Sequence, residues 1–406
     1  MYEDFLKTMS DSLMKLLLQI LSGILFTIPS LGQITPKKLL IYYSYPSSLN
    51  YPTNGYDLDK VANDLKQYDY VVLGADLELA SHPDHNNTIS IISKMAGSST
   101  KVFGYIDLGV KSPGKNFPMN QIQQRVDAWK AMGVQGIFFD DFGYDFQVSR
   151  QRQNDAVNYV HSRSLKVIAN GWNPDDVFGS AVVPTYNPNG QATVLNAGDF
   201  YLSESYLIIK WEYETNLNFW KTKADKLRNY QQSLNFKVLS ITTSDTLQAN
   251  NYEAARFFYA WYGAAIDGHE ATGWGEFKFA CCDPNNAKSP FRTRPNVNIG
   301  TAFTSPVQQN SNEIYRYTNL GKIAINFASH AYSFTPMPTC TSITSGNWHA
   351  YTTWNCGRVP TDDDNVIVKS GHKVTVNHPT GITTCGYFYA EPGSTFNCVT
   401  RFLSKP

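Results

Sequence analysis

Gly136-Ile137-Phe138-Phe139-Asp140-Asp141-Phe142-Gly143-Tyr144-Asp145 is the stretch on which the fold turns. Four glycine or apolar positions run straight into two adjacent acids, with a second glycine just beyond. An unbroken apolar run of this kind suits a strand buried on both faces, as in a parallel sheet covered by helices. Acids at the carboxyl end of such a strand stand where parallel α/β proteins place their chemistry. The stretch therefore reads as an inner barrel strand that delivers an acid into a sugar-binding cleft.

Outward from it, strands and helices alternate in both directions. Apolar runs over 39–44, 70–75 and 102–108 precede it, and runs over 166–170, 199–206, 237–242 and 271–276 follow. Helical periodicity falls between them: around Leu58, Val61, Ala62 and Leu65, through Ile89, Ile92 and Met95, through Ile122, Val126, Trp129 and Met132, and over 149–164, 216–233 and 251–266. Eight such units in about 240 residues predict an α/β fold, a (β/α)8 TIM barrel. A doubly wound sheet would want a Gly-rich first turn for a phosphate, and Tyr43-Ser44-Tyr45-Pro46-Ser47 supplies none.

Residues 283–313 form a loop region rich in Asn, Pro and Ser, followed by a predicted hairpin, Ile314–Tyr317 and Lys322–Phe327, turning at Asn319-Leu320-Gly321. Pro336-Met337-Pro338 marks a change of character. Beyond it, Val and Ile alternate on both sides of Ser370-Gly371 with no helical period, the pattern of a hairpin or a solenoid rung. The expected division is 1–32 as N-terminal extension and signal peptide, 33–337 as the barrel domain, and 338–406 as a small all-β module stapled by disulfides. Asp362 to Asp364 reads as a solvated turn, because the ordered spacing of a calcium loop is missing.

Composition narrows the partners. With 34 basic and 34 acidic residues among 406, net charge is zero, which gives no support to nucleic acid or an anionic membrane. Aromatic residues make up 14%, mostly core, but also the faces on which sugar rings stack. Met14-Lys15, the apolar run Leu16 to Ile28 and the small residues up to Gln33 predict a secretory signal peptide cleaved near Gln33. Residues 1–13 then read as an upstream extension, and Met14 as the alternative start. The expected location is outside the cell or on its surface, with no membrane association after signal removal. None of the six cysteines precedes residue 281. Cys281 and Cys282 are adjacent, and Cys340, Cys356, Cys385 and Cys398 could pair in any of three connectivities in an oxidising compartment. Their spacing is not that of a zinc site.

The acids at strand ends are Asp76, Asp107, Asp140, Asp141, Glu204, Asp245 and Glu276. No G-x-S-x-G or H-E-x-x-H accompanies them, and His82-x-x-His85 stands alone, so neither metal nor cofactor is expected. A rim of carboxylates and aromatics points to glycosidic-bond chemistry, which needs one acid to protonate the leaving oxygen and one carboxylate to attack or to activate water. Strand alternation puts Phe138, Asp140 and Phe142 on one face and Phe139 and Asp141 on the other, so only one of the adjacent acids faces the mouth. In the sixth strand Glu204 shares a face with Phe200 and Leu202, a costly place for an acid unless it is solvated in a cleft or paired. Asp140 and Glu204 are the candidate catalytic pair. Asp141, Asp107, Tyr43, Tyr45, Tyr105, Trp172, Trp274 and Glu276 are candidates for substrate binding. Any one of these acids alone also fits a loop cap or a partner for Arg150 or Arg152.

The pieces Tyr42-Tyr43, Val102-Phe103-Gly104-Tyr105-Ile106, Met132 to Asp141 and the strand bearing Glu204 resemble the secreted glycoside hydrolases of family 114 and their relatives, a group that includes endo-α-1,4-polygalactosaminidases. The resemblance covers roughly residues 38–330, and its most specific part is a glycine–hydrophobic–x–x–Asp–Asn pattern. It implies that the family's first acid falls on Asp140 and its second on Glu204, one acting as nucleophile and the other as acid/base. The Asn of the pattern falls on Asp141, a departure that bears on substrate. The implied activity is endo-acting cleavage of a polysaccharide, by analogy a galactosamine polymer. The tail is similar to β modules of secreted proteins from gliding and polysaccharide-degrading bacteria, carrying Gly346-Asn347-Trp348, Thr353-Trp354 and Gly357-Arg358-Val359-Pro360. The alternative is a carbohydrate-binding or adhesion protein on an inactive barrel. Removal of an acyl substituent is disfavoured because that chemistry usually wants a metal and no ligands are visible.

Overall fold

The computed structural model describes residues 34–111, 116–244, 252–281, 287–377 and 382–404. The predicted signal peptide, Asp245 and Cys282 lie outside them. Eight parallel strands close into a barrel: β1 Lys37–Tyr42, β2 Tyr70–Leu73, β3 Lys101–Asp107, β4 Gly136–Asp140, β5 Lys166–Ala169, β6 Phe200–Ser203, β7 Lys237–Ile241 and β8 Ala271–Gly273. Each strand pairs with its sequence neighbour, and β8 returns to β1 through Lys37↔Ala271. The fold is the predicted TIM barrel.

Alternation explains why these runs are apolar throughout. Ile41, Val72, Phe103, Phe138, Ile168, Leu202 and Leu239 fill the barrel interior. Their neighbours Leu40, Val71, Val102, Phe139, Val167, Tyr201 and Val238 face the helices. Phe138 and Phe139 are both fully buried, one on each side, and such a ring contributes roughly 1.5–3 kcal/mol. The outer layer comprises α1 Leu58–Leu65, α2 His85–Lys94, α3 Met119–Ala131, α4 Arg150–Ser162, α5 Pro174–Phe178, α6 Leu217–Leu234 and α7 Ala254–Asp267. Side-chain caps start four of them: Asp57 accepts from Asp59 N–H at 2.9 Å, Ser149 from Arg152 N–H at 3.2 Å, Asn173 from Asp175 N–H at 3.2 Å and Asn216 from Phe219 N–H at 3.1 Å.

Two glycines mark close approach. A Cβ on Gly104 of β3 would lie 2.1 Å from the Trp129 ring of α3, and one on Gly136 would lie 2.3 Å from the Phe103 ring and 2.5 Å from the Lys166 carbonyl oxygen. The glycine that opens the diagnostic stretch is thus a packing requirement.

Helix α7 is apolar nearly all round, with Phe257 and every residue from Tyr259 to Asp267 buried, because a second layer covers it. The predicted hairpin is the middle of a four-stranded antiparallel sheet: β9 Gln308–Gln309, β10 Glu313–Tyr317, β11 Gly321–Asn326 and β12 Ala331–Pro336. Ile314, Ile323 and Ile325 join Trp261 and Ile266 in one core. Arg316 donates from Nη1 to the Ile266 carbonyl at 3.2 Å.

The tail is a parallel solenoid. Its first rung holds Thr339–Thr341 and Gly346–Asn347. The second holds Asn365–Val368, Lys373–Val376 and Ile382–Cys385, and the third Phe388–Ala390, Thr395–Cys398 and Arg401–Ser404. Cys340, Val366 and Phe388 stack in one column, and Val374 and Phe396 in another. The strands flanking Ser370-Gly371 pair with neighbouring rungs, so the hairpin alternative is not the one adopted. Trp348 and Trp354 fill the interior, ring centroids 5.0 Å apart. Cys340 and Cys356 form a disulfide, whereas Cys385 is buried and Cys398 exposed, so a second pair among the late four is not made. Of the three acids expected in a solvated turn, Asp362 and Asp363 are exposed, but Asp364 is buried. It binds Arg358 through both carboxylate oxygens, at 2.5 and 2.6 Å, and accepts from Thr361 N–H at 2.8 Å.

Candidate active site

Strand β4 ends at Asp140 because Asp141 takes a left-handed φ of 53°. The Asp141 N–H turns back to the Asp140 Oδ1 at 3.0 Å. The Tyr105 hydroxyl, reaching up from β3, donates to Asp140 Oδ2 at 2.8 Å. Asn170, just past β5, donates from Nδ2 to Asp140 Oδ1 at 2.8 Å and from the same nitrogen to Glu204 Oε2 at 2.9 Å. Those two carboxylate oxygens are therefore no more than 5.7 Å apart, the sum of the two contacts. The Asn170 backbone is fixed on both sides, its N–H donating to the Phe139 carbonyl at 2.9 Å and its carbonyl accepting from Phe142 N–H at 2.8 Å. Asp140, Glu204 and Asn170 are each half-buried at the carboxyl end of the barrel. Asn170 was not among the residues the sequence suggested: an amide carries no charge to attract notice, and only its place one residue past a strand could have pointed to it.

Tyr43 packs edge-on against Tyr105 at 5.4 Å and Phe279 at 5.3 Å. Burial, with the negative charge of Asp140 second, pushes both tyrosine hydroxyls far above their ordinary range, so both remain protonated donors. Asp107 is buried at the same level as Asp140 and accepts from Gly109 N–H at 2.7 Å. Asp141 does not turn to the helices as alternation predicts. A Cβ on Gly109 would sit 3.0 Å from both Asp107 Oδ1 and Asp141 Cβ, so Asp141 stays at the mouth beside Asp107. Phe142, assigned by parity to the face of Asp140, instead packs with Phe139 at 6.4 Å on the helix side. The left-handed residue between them resets the count.

Two grooves flank the pair. One, of about 550 Å³, is lined by Asp76, His82, Tyr105, Asp107, Phe117 and Arg125. Arg125 binds Asp76 Oδ1 at 2.8 Å and also the buried Glu78. Tyr45 lies at this rim, 47% exposed, its ring 4.9 Å from that of His82. His82 and His85 contact backbone groups of Asp84 and Leu77. The other groove holds Trp172, which stacks on Phe219 at 5.3 Å.

Trp274 and Glu276 do not reach the mouth. Trp274 is buried against Tyr252 and Phe257, on the outer side of the barrel. Glu276 is buried in a two-point ion pair with Arg292, at 2.7 and 3.1 Å. Burial raises its proton affinity, and Arg292 opposes that rise. Arg150 and Arg152 bind backbone carbonyls, Arg150 those of Val177 and Gly179 and Arg152 those of Leu108 and Phe117, and not the acids of the mouth. Among the described residues no group of three or more His, Cys, Asp or Glu side chains could hold a metal ion, and no helix is long and apolar enough to cross a membrane.

No family model and no curated protein matches the sequence. Among solved structures the chain is similar to the glycoside hydrolase domain of PelA from Pseudomonas aeruginosa, with 13% identity and a TM-score of 0.35 over 59% of this chain and 95% of that one. It is also similar to a GH18 chitinase from Pseudoalteromonas aurantia, at 14% identity and a TM-score of 0.37 over 59% and 93% of the two chains. A third is an alpha-amylase from Geobacillus thermoleovorans complexed with acarbose, at 11% identity and a TM-score of 0.39 over 73% and 88%. Likenesses this distant carry no argument, and the barrel stands on its own strand pairing.

Proposed function

We propose that this chain is a secreted glycoside hydrolase that cleaves a microbial exopolysaccharide from within, with Asp140 as nucleophile and Glu204 as acid/base. The observation that carries the reading is the single Asn170 nitrogen shared by both carboxylates. It brings the acids to a separation on the retaining side of the roughly 6.5 Å at which inverting pairs begin. Tyr105, Asn170 and the Asp141 N–H all donate to Asp140, which holds its carboxylate in place at the mouth. Glu204 would protonate the glycosidic oxygen as Asp140 bonds to the anomeric carbon and the leaving chain departs. Glu204 would then take a proton from water, and that water would displace Asp140, returning both acids to their starting states. The family resemblance makes an α-1,4-linked galactosamine polymer the first substrate to try. Export is supported by the signal-like amino terminus and by the Cys340–Cys356 disulfide.

The test is release of reducing ends from a panel of microbial exopolysaccharides, galactosamine polymers included, with the anomer of the fresh product read by NMR. Glu204→Gln is expected to lower kcat by roughly 10²–10⁴-fold with an unchanged melting temperature. An inverted product would remove Asp140 from the nucleophile role. Tight polysaccharide binding with no cleavage would leave a binding protein instead.

A further inference from the structure

The groove on the β5–β6 side of the mouth encloses about 480 Å³, room for a sugar ring, and is lined by Trp172, Asn173, Asn216, Phe219, Thr222 and Lys223. Trp172 is held by its stacking on Phe219 yet remains 49% exposed. Lys223 reaches the groove from α6 and is only 9% exposed. Its Nζ lies 5.2 Å from the Trp172 ring and 5.5 Å from the Tyr201 ring. Its neighbour Lys226 is paired with Asp175, but among the described residues no hydrogen bond or ion pair reaches the Lys223 ammonium. A buried charge that makes no direct ion pair is costly, and the opposite charge that acts on Lys223 is that of Glu204. Burial accordingly pulls the ammonium down to about 8, with the charge of Glu204 acting against that fall, so the group is still mostly cationic at neutral pH.

We propose that this groove is a subsite for a carboxylate-bearing sugar residue, a uronic acid in its simplest form, whose ring lies on Trp172 and whose carboxylate serves as the counter-ion of Lys223. A neutral ring there would cover the ammonium without compensating it. The opposite wall of the mouth carries Asp76, Asp107 and Asp141. Arg125 offsets Asp76 there, while Asp107 and Asp141 disfavour a sugar carboxylate on that wall, so a polymer with carboxylates would place them on the Lys223 side. The direction in which the chain crosses the catalytic pair rests on the function proposed above; the binding itself does not.

The experiment is calorimetric titration of the full chain, made inactive as Asp140→Asn, with α-1,4-linked tetragalacturonate and with the neutral tetragalactoside of equal length. The acidic oligomer is expected to bind at least tenfold tighter at low ionic strength. Lys223→Gln should abolish the preference, and Lys223→Arg should keep it. Equal binding of the two oligomers, or a preference that survives in Lys223→Gln, overturns the proposal. Should Lys223→Gln fail to fold, the half-exposed Trp172→Ala decides: it must weaken tetragalacturonate binding about tenfold, and unchanged binding overturns the subsite. Absence of hydrolysis on every polysaccharide would defeat the proposed function and leave a positive titration standing. Lost preference with hydrolysis intact would do the reverse.

Discussion

One amide nitrogen on Asn170 touches both candidate catalytic acids, and its own backbone is pinned between Phe139 and Phe142. Positioning of this kind is worth about 10²-fold in rate when a reacting group shifts by an ångström. Asn170→Ala is therefore expected to lower kcat by about 10–100-fold while thermal melting stays within a degree or two of the parent. An unchanged kcat would show that the acids hold their places without it. Glu276 gives the opposite prediction. Breaking its buried pair with Arg292 by Glu276→Gln should destabilise the fold by roughly 3 kcal/mol and leave kcat alone, as melting and rate measured on one preparation would show. Asp140 and Glu204 were legible because charged residues after apolar strands stand out. Asn170 and Lys223 were not: the first is uncharged, and the second sits on a helix whose pattern does not say that Trp172 and Tyr201 will enclose it.

At the scale of elements, all eight barrel strands were readable, since strands buried on both sides are continuous apolar runs. Alternation of faces holds within each strand and fails where one ends. Asp141 at φ 53° breaks the alternation, which returned Phe142 to the helix side and kept Asp141 at the mouth. Trp274 and Glu276 were placed at the mouth by position after a strand alone, and that strand runs only from Ala271 to Gly273 before the chain turns outward. Close approach between elements was equally invisible. The Gly104 site has no room above the Trp129 ring, so Gly104→Ala is expected to cost about 1–3 kcal/mol, seen as a lower denaturation midpoint. A midpoint unchanged from the parent would mean that Trp129 moves aside freely.

Across the whole molecule, Ile34 to Pro406 forms one compact unit, in which the antiparallel sheet covers α7 and the solenoid follows it. The third and fourth strands of that sheet, β11 and β12, explain why α7 is apolar nearly all round. The Cys340–Cys356 bond closes a loop with a separation of 16 residues, worth about 3 kcal/mol in chain entropy. Reduction should therefore loosen the solenoid while the barrel's far-UV signal persists, and loss of both together would show that they unfold as one. Acid acts on the same region. Although burial opposes it, the bonds from Arg358 and Thr361 hold Asp364 below the ordinary carboxylate range. Its contribution is thus present above about pH 4, the value of an unfolded aspartate, and is lost as pH falls through the depressed one. Asp364→Asn should remove that acid dependence from solenoid melting.

The stacking of rungs also sets an order in time. In a solenoid each rung draws its stability from the rungs beside it, and among the described residues the middle rung, through Asn365–Val368 and Lys373–Val376, is the one paired on both sides. Amide hydrogens of Phe388–Ala390 and Thr395–Cys398 should exchange with deuterium first, and those of Asn365–Val368 and Lys373–Val376 should follow. The module would then loosen at its outer rungs before its middle one gives way.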